Sequence, residues 1–376
     1  MPTTRLCRLR LVLTAIVLTA LAGCMPGATR PGDGAIQVDP DDPAAVAAML
    51  DVLAERRVVH VGEIHDRLDH HQNQLAILRG LHQRGLRLAV GVEWFQEPFQ
   101  PYLDAFLAGR IDEHEMLRRT GYYERWRFDY RLYRDILGFA KEQGIPVIAL
   151  NAPSELVEAV SRDGIEGLSP AQRALLPTTI APPDPSYEKR LRTAFELHGG
   201  LPEERFRRFV EVQTLWDEYM AGRAARFLSE HPKHSLVILA GSAHLLHDAA
   251  IPARLRRQLP ATQAVVVTKP FDPLPGVAPD FILAARTVAL DRPGRTGMSL
   301  RGEPDGVRVH QVSAGGAAER AGLRVGDRVL RIGDQPITAL SDARLALMDR
   351  APGQRLRLVI QRGDAGRPST RTLTLL

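Results

Sequence analysis

The chain has 376 residues, of which 44% are hydrophobic and 25% charged, so it is long enough for two or three globular domains. Acidic and basic side chains are interspersed along almost the whole length, and the formal net charge of +5 is not gathered into a basic stripe. The composition therefore argues against large-scale disorder and against nucleic acid as a partner.

The beginning of the chain has the pattern of an export signal. Three arginines precede an apolar run over residues 11–21, which is too short to span a bilayer but typical of a signal-peptide core. The following "LAGC" resembles a bacterial lipobox. That resemblance implies a signal peptide over residues 1–23, lipidation of Cys24 and a stable acyl anchor. Met25 follows the lipidated cysteine, and by resemblance to bacterial lipoprotein sorting signals it implies that the protein is anchored in the outer membrane and faces the periplasm. The alternative is an ordinary cleaved signal with a chance cysteine.

Cysteine use limits the cofactors that the exported protein can hold. Cys7 would leave with the signal peptide and Cys24 would be lipidated, so we expect no disulfide, no thiolate metal site and no covalently attached c-type haem. A cofactor would then be held by His, Glu, Asp, Tyr or Met. Residues 24–43 are rich in Pro, Gly and Asp and predict a flexible tether.

Residues 44–290 alternate between strand-like and helix-like segments. Asp42-Pro43 predicts the start of a first helix. Continuous apolar runs are typical of strands buried on both faces, so we predict an α/β fold with a mainly parallel sheet flanked by helices. The predicted strands are 58–61, 88–92, 146–150 and 236–240, followed by late strands at 264–268 and 281–289. Long helices are predicted at 185–198 and 202–230, and a domain boundary at 291–297.

Polar side chains follow four of these strands. Glu63 and His65 follow the first strand, Glu93 ends the second, Asn151 ends the third and His244 follows the fourth. Ligands of open α/β sheets lie outside the carboxyl ends of the strands, so we expect these groups at one edge. Two segments, GEIH and GSAH, share the form GxxH, and with the glutamates they suit a divalent ion or acid–base chemistry. The alternative is that each is only a capping or loop residue.

Several ordered motifs in residues 44–290 resemble the ChaN-like family, the haem-binding lipoproteins associated with bacterial iron uptake. They are "VGEIHDRLDHHQNQ", "VGVEWFQEPFQPYLDAF", "YRLYRDILGFAKEQGIPVIALNAP", "QTLWDEYMA" and "GSAHLLHDAAIPARL". The resemblance implies noncovalent haem, shared between two protomers of a ligand-dependent homodimer. A distant similarity to erythromycin-esterase-like and Tiki-like hydrolases keeps a metal-dependent peptidase or esterase open as the alternative, so the sequence does not decide whether the chain is an enzyme.

The same resemblance implies an axial tyrosine on the haem iron, with a histidine and a basic residue of the other subunit holding the propionates. Tyrosinate is a hard anionic ligand suited to ferric haem. The candidate axial ligands are Tyr133, Tyr130 and Tyr123, and the candidate propionate contacts are His70, His71 and Arg131. The alternatives are an aromatic helix face packed on the sheet and, for the two histidines, a solvated or capping helix face.

Residues 293–376 resemble a bacterial PDZ domain, a small β-rich module, through the segment "GVRVHQVSAGGAAERAGLRVGDRVLRIGDQPIT". The resemblance implies that a C-terminal peptide or protein partner adds a strand to the sheet edge. Its carboxylate would be bound by the loop of Gly297, Met298, Ser299 and Leu300. The alternatives are a PDZ domain that only supports assembly, and a scaffold in which the PDZ domain is the only binding surface.

Overall fold

The computed structural model describes residues 34–183, 185–196, 202–245, 250–270, 279–286, 288–363 and 365–376. The predicted signal peptide, the predicted lipidation site Cys24 and the tether up to residue 33 lie outside the described residues. Among the described residues, no helix combines the length and the apolar character needed to cross a membrane.

The first domain contains seven strands and eleven α-helices in the described residues. The strands are β1 (Ile36–Val38), β2 (Val58–Glu63), β3 (Leu88–Gln96), β4 (Val147–Asn151), β5 (Ser235–Gly241), β6 (Gln263–Thr268) and β7 (Phe281–Leu283). The helices are α1 (Pro43–Ala54), α2 (Leu68–Gln83), α3 (Gln100–Leu107), α4 (Glu113–Arg119), α5 (Tyr122–Arg125), α6 (Arg134–Glu142), α7 (Ser154–Asp163), α8 (Pro170–Arg173), α9 (Pro185–Glu196), α10 (Glu203–Glu230) and α11 (Ile251–Gln258). Short 3₁₀ turns cover Glu97–Phe99, Tyr130–Leu132 and Ser242–His244.

The strands form one parallel sheet in the order β1-β7-β6-β2-β5-β3-β4. Every residue of β2, β3 and β4 is buried, as expected where helices cover both faces. One apolar cluster lies between the sheet and α1, α2, α3, α4 and α6, and a second lies between the sheet and α10 and α11. The predicted α/β class with a mainly parallel sheet is therefore confirmed.

Two segments differ from the sequence-based expectation. The tether was predicted to extend to residue 43, but Ile36–Val38 forms edge strand β1, paired with β7, and Val38 is buried. The late strand predicted at 281–289 ends at Leu283. Ala284 still donates to the carbonyl of Val38, but β1 ends there, and among the described residues no other strand extends the ladder beyond it. Strand length is thus decided by the partner strand as much as by local composition.

The second domain contains an antiparallel sheet in the order β13-β12-β10-β9-β8, with β11 beside β10. Its elements are β8 (Met298–Glu303), β9 (Gly306–Val312), α12 (Ala317–Arg320), β10 (Arg328–Ile332), β11 (Gln335–Pro336), α13 (Leu340–Leu347), β12 (Arg355–Gln361) and β13 (Ser369–Thr374). It has its own apolar cluster, which includes Val329 and Ile360. Strand β8 lies at the edge of the sheet.

The two domains are joined by side-chain contacts of helix α13 and of the two residues that follow it, Met348 and Asp349. Leu345 and Met348 belong to the apolar cluster of the first domain, and the hydroxyl of Tyr123 donates to the Met348 sulfur at 3.1 Å. Arg134 bridges Glu113 of the first domain and Asp349 of the second, at 2.8 and 2.7 Å. The second domain therefore packs directly against helices α4 and α5 of the first.

Candidate functional site

The candidate site lies where β2, β5 and β3 end, three strands that are neighbours in the sheet. Glu63 is the last residue of β2 and pairs in register with Gly241, the last residue of β5. Glu93 lies near the end of β3, and His244 follows β5 in a 3₁₀ turn. The sheet thus brings together Glu63, His65, Glu93 and His244, four of the five residues that sequence reasoning expected at one edge, and the fifth, Asn151, contacts the backbone of Glu93.

Glycine at position 241 makes this close approach possible. A Cβ atom there would lie 2.9 Å from Cε1 of His65 and 3.6 Å from Oε2 of Glu93. The backbone of Gly241 has an ordinary negative φ of −55°, so glycine is required for space rather than for its conformational freedom. The amide of Gly241 also donates to Oε2 of Glu93 at 2.7 Å, which holds that carboxylate at the strand ends.

Histidines and carboxylates alternate through the site. Nδ1 of His65 hydrogen-bonds to Oε1 of Glu63 at 2.5 Å, and Nε2 of His244 lies 3.5 Å from Oε1 of Glu93. Ligand atoms of Glu63, His65 and Glu93 all lie within 4.8 Å of one another, a spacing that can hold a metal ion. Asn151 supports the arrangement from β4 by donating to the carbonyl of Glu93 at 2.9 Å.

Asp217 and Tyr187 complete the site, and sequence reasoning missed both. Oδ1 of Asp217, on helix α10, lies 2.6 Å from Nδ1 of His244, and the hydroxyl of Tyr187, on α9, donates to Oδ2 at 2.7 Å. Asp217 is completely buried. Two adjacent acidic residues inside the largely apolar helix segment "QTLWDEYMA" are a signal that could have identified Asp217, because buried carboxylates are costly unless they are paired.

Both site histidines are held in the protonated form. Burial lowers the pKa of His65, but the carboxylates of Glu63 and Glu93 outweigh burial and raise it to about 9. Burial likewise lowers the pKa of His244, whereas Glu93 and Asp217 raise it to about 9. Burial raises the pKa of Glu63, but the adjacent His65 lowers it below its ordinary value. The site is a buried row of alternating charges at neutral pH.

Aromatic rings surround the outer face of His65, whose side chain is 20% exposed. The ring centroid of Trp126 lies 4.7 Å away and that of Phe128 5.0 Å away. Nε1 of Trp126 donates to the hydroxyl of Tyr133, which in turn donates to the carbonyl of His65. His65 is therefore the member of the site that solvent and a ligand can reach, and its orientation is set by Glu63 on one side and by aromatic rings on the other.

The three candidate axial tyrosines lie in different places. Tyr133 touches the site through the carbonyl of His65, whereas Tyr123 faces Met348 of the second domain and Tyr130 lies in the core. Tyr133 and Tyr130 are fully buried and Tyr123 is 9% exposed. Burial raises the pKa of all three hydroxyls, that of Tyr123 to about 12. Within one protomer these phenols are thus protonated and enclosed, and an axial role for any of them stays a prediction.

The candidate propionate contacts are engaged within the protomer. His70 is completely buried, with Nδ1 accepting from the amide of Ile64 at 3.1 Å and Nε2 beside the carbonyl of Lys269 at 3.0 Å. His71 is also buried, and its Nε2 lies 3.2 Å from the carbonyl of His65. Arg131 pairs with Asp129 at 2.6 Å, on the side that faces the second domain. A propionate role for these residues stays a prediction.

The donor set and the space around it decide which group the site can hold. Oε2 of Glu63 is buried and has no hydrogen-bond partner among the described residues, which suits a bound cation or water. The cleft lined by Glu93, Trp126 and Asn151 has a volume of only about 10 Å³, which is room for about one water molecule. The spacing of Glu63, His65 and Glu93 therefore suits a metal ion, and His65 is the partly exposed member of these three.

The carboxylate-binding loop predicted in the second domain is partly a strand. Met298, Ser299 and Leu300 belong to β8, and Gly297 precedes them with a φ of +69°. A Cβ at Gly297 would lie 3.0 Å from the amide nitrogen of Ala317, so both conformation and space require glycine. The unpaired side of edge strand β8 faces helix α13, where Gly302 lies near Leu340.

Comparisons with known proteins agree with both domains. Residues 49–255 match the family described as "Haem-binding uptake, Tiki superfamily, ChaN", and residues 287–361 match the PDZ domain family. Among solved structures, ChaN of Campylobacter jejuni, described with cofacial haem binding, covers 62% of this chain and 89% of its own at 18% identity and a TM-score of 0.51. The PDZ domain of a Vibrio cholerae carboxy-terminal protease, solved with a peptide, covers 22% of this chain and 93% of its own at 22% identity and a TM-score of 0.20.

One curated relative is the Arabidopsis thaliana protein RETICULATA-RELATED 5, chloroplastic, at 24% identity over 239 residues. The match covers 57% of this chain but only 31% of that protein, so the chain spans about a third of its length. The family match extends over more than half of the chain and includes every residue of the candidate site from Glu63 to His244. The chain therefore belongs to the haem-binding uptake family of the Tiki superfamily that includes ChaN, and it carries a C-terminal PDZ domain.

Proposed function

We propose that this protein binds haem noncovalently at the edge of the sheet around His65 and takes part in haem or iron uptake. The observation that carries the proposal is the half-buried imidazole of His65, which is open to solvent and lined by Trp126 and Phe128. Membership of the haem-binding family supports it, as does the cofacial haem of the Campylobacter protein.

The surrounding residues orient His65 for a ligand. Nδ1 of His65 is hydrogen-bonded to Glu63, which leaves Nε2 as the nitrogen that can coordinate iron. A carboxylate that accepts from the other ring nitrogen makes a coordinating histidine a stronger electron donor to the metal. Bound haem supplies a ferric iron that accepts an axial ligand. Trp126 and Phe128 offer apolar ring surface to the porphyrin edge. The cleft beside Glu93 that the described residues form has a volume of only about 10 Å³, which is consistent with haem held between two protomers.

We further propose that the protein is a lipoprotein of the cell envelope. The lipobox-like "LAGC" and the preceding apolar run support lipidation at Cys24 and an outer-membrane location facing the periplasm. The tether before β1 would then separate the first domain from the membrane surface. Metabolic labelling with a radioactive fatty acid tests this part, since Cys24→Ser should abolish the label.

A titration with hemin tests haem binding. The protein lacking residues 1–24 should show a saturable Soret band and a shift from monomer to dimer in sedimentation velocity. His65→Ala should weaken binding about tenfold or more, because it removes the proposed iron ligand. His310→Ala is the matched control, since His310 is an exposed histidine of the second domain. Tyr133→Phe tests the alternative that the family resemblance implies, in which a tyrosine binds the iron. If Tyr133 is that ligand, Tyr133→Phe should weaken hemin binding.

The pH dependence of hemin binding provides a second readout. The pKa of His65 is about 9, so its Nε2 carries a proton at pH 7 that iron must displace. Affinity should therefore rise up to about tenfold per pH unit between pH 7 and 9 and level off above 9. The absence of a saturable Soret band in the wild-type protein, or unchanged binding in His65→Ala, would contradict the proposed site.

A second candidate function is a metal-dependent hydrolase at the same strand ends. The observation that favours it is the buried Oε2 of Glu63, which has no hydrogen-bond partner among the described residues and lies 3.9 Å from Nε2 of His71, together with the spacing of Glu63, His65 and Glu93. Those three residues would hold a divalent cation, which supplies Lewis-acid chemistry when bound. His244, oriented by Asp217, lies close enough to Glu93 to exchange a proton with it.

Metal analysis separates the two candidates. The hydrolase requires about one equivalent of a divalent metal after purification without chelator, and Glu63→Gln should lose that metal while hemin binding at Nε2 of His65 persists in weaker form. Glu124→Gln, an exposed glutamate, is the matched control. A metal content that does not differ between wild type and Glu63→Gln would rule out the hydrolase site.

A further inference from the structure

A cleft of about 710 Å³ lies between the two domains. The second domain contributes the turn before β8, residues 313–316 and the end of helix α13. The first domain contributes Tyr123, Arg127, Asp129 and Arg131, all from the segment that follows helix α4. The end of the PDZ groove where a peptide terminus would bind is therefore closed on one side by the haem-binding domain.

The geometry of β8 suits the addition of a peptide strand. One side of β8 pairs with β9 from Met298 to Glu303, and no strand of the described residues pairs with the other side. Gly297 precedes the strand with a left-handed backbone of φ +69°, and Gly297, Met298 and Ser299 line the cleft, so the start of β8 lies at its wall. A peptide that extends β8 would bring its C-terminus to the mouth formed by both domains.

The charges around the cleft favour an acidic ligand. Four arginines line it, Arg127, Arg131, Arg295 and Arg344, against one acidic side chain among the described lining residues, that of Asp129. Asp129 is already paired with Arg131. Arg127 is exposed, and among the described residues its guanidinium donates only through Nε, to the carbonyl of Glu124 at 3.3 Å, so its other guanidinium donors are available to a ligand.

We propose that the two domains together form one site for an acidic peptide C-terminus, in which β8 binds the peptide backbone and Arg127 of the haem-binding domain contacts acidic side chains near the terminus. This inference rests on the PDZ domain binding a C-terminal peptide. It adds that the haem-binding domain takes part in recognition and selects for negative charge. Charge-assisted contacts from arginine suit carboxylates well because its planar donors can bind them in pairs.

Fluorescence anisotropy with three labelled decapeptides tests the proposal on the two-domain protein. The first peptide has three glutamates before a C-terminal valine, the second has glutamines in their place, and the third is the acidic peptide with an amidated terminus. The acidic peptide should bind about fivefold more tightly than the glutamine peptide at low salt, and the preference should shrink at high salt. Amidation should abolish strand-addition binding.

Arg127→Glu should remove most of the preference for the acidic peptide, and Arg127→Gln should remove part of it. Arg110→Glu is the matched control, because Arg110 is an exposed arginine of the same domain away from the cleft. A hemin titration of each variant checks whether its first domain is still intact. Arg295→Glu, on the second domain, should lower affinity for the acidic peptide to a similar extent.

The outcomes separate this proposal from the PDZ function on which it rests. If free-carboxylate peptides bind but Arg127→Glu leaves the acidic preference unchanged, the haem-binding domain takes no part and the proposal is overturned, while the PDZ function stands. If no peptide binds in a carboxylate-dependent way, the PDZ function fails and the composite site fails with it. Loss of the preference in Arg110→Glu as well would show a general charge effect and would also overturn the proposal.

Discussion

Replacing Asp217 by asparagine tests the buried charge row directly. Asp217 accepts from Nδ1 of His244 at 2.6 Å and from the hydroxyl of Tyr187 at 2.7 Å, and it is completely buried. Asparagine keeps the shape of the side chain but has one acceptor oxygen in place of two. One of the two donors therefore loses its acceptor, and the protonated ring of His244 loses an adjacent negative charge.

The magnitude follows from the pKa of His244. Burial alone lowers this pKa, and Glu93 and Asp217 raise it from 6.5 to about 9, which corresponds to about 3 kcal/mol of stabilisation of the folded state. If Asp217 accounts for about half of that, its charge contributes roughly 1 to 2 kcal/mol. The donor left without an acceptor, Nδ1 of His244 or the hydroxyl of Tyr187, lowers the free energy of unfolding by about 1 to 2 kcal/mol more. We expect Asp217→Asn to lower the free energy of unfolding of the first domain by about 3 kcal/mol at pH 6.5.

The direction in which the pKa of His244 shifts on folding fixes how the stability difference depends on pH. The folded-state pKa of His244 is raised, so this stabilisation is fully present below pH 6.5 and is lost as pH rises through about 9. The difference between wild type and Asp217→Asn should therefore shrink to about 1 to 2 kcal/mol at pH 9.5, where only the hydrogen-bond contribution remains. Urea denaturation in the presence of chelator measures both values.

Tryptophan emission is a suitable probe, because the chain has three tryptophans and Trp94, Trp126 and Trp216 all lie in the first domain. Asp135→Asn is the matched control, since Asp135 is exposed on helix α6 and should change stability by less than about 0.5 kcal/mol. A destabilisation of Asp217→Asn that is equal at pH 6.5 and pH 9.5 would refute the assignment of His244 as a protonated partner of Asp217.

Three further substitutions test other parts of the structure. Gly241→Ala should lower hemin affinity about tenfold with little loss of stability. The added Cβ would lie 2.9 Å from Cε1 of His65 and would push the ring aside. Gly297→Ala should abolish peptide binding in the anisotropy assay and leave hemin binding unchanged, because alanine is strained at a φ of +69°. Arg134→Gln should weaken domain docking by about 1 kcal/mol, because Arg134 loses its ion pair with Asp349. Faster limited proteolysis between the domains measures this change.

The sequence predicted much of the first domain and the centre of its candidate site. Continuous apolar runs must be buried on both faces, and this requirement alone indicates a parallel sheet covered by helices. The carboxyl ends of parallel strands share an edge, so Glu63, Glu93 and His244 could be expected there without knowledge of strand order. The glycine of each GxxH segment indicated a close approach at the strand end, and at Gly241 the ring of His65 occupies the space a Cβ would need.

Only the tertiary structure decided which groups touch. Strand β5 lies between β2 and β3 although it is far from both in sequence, and this order places His244 beside Glu93. Asp217 reaches His244 from a helix, and Trp126 reaches His65 from a loop, through packing between elements that no local pattern encodes. The sequence by itself determined which residues end the strands, because burial and backbone geometry act locally. Their partners were set by long-range packing, because it depends on how all the elements fit around one core.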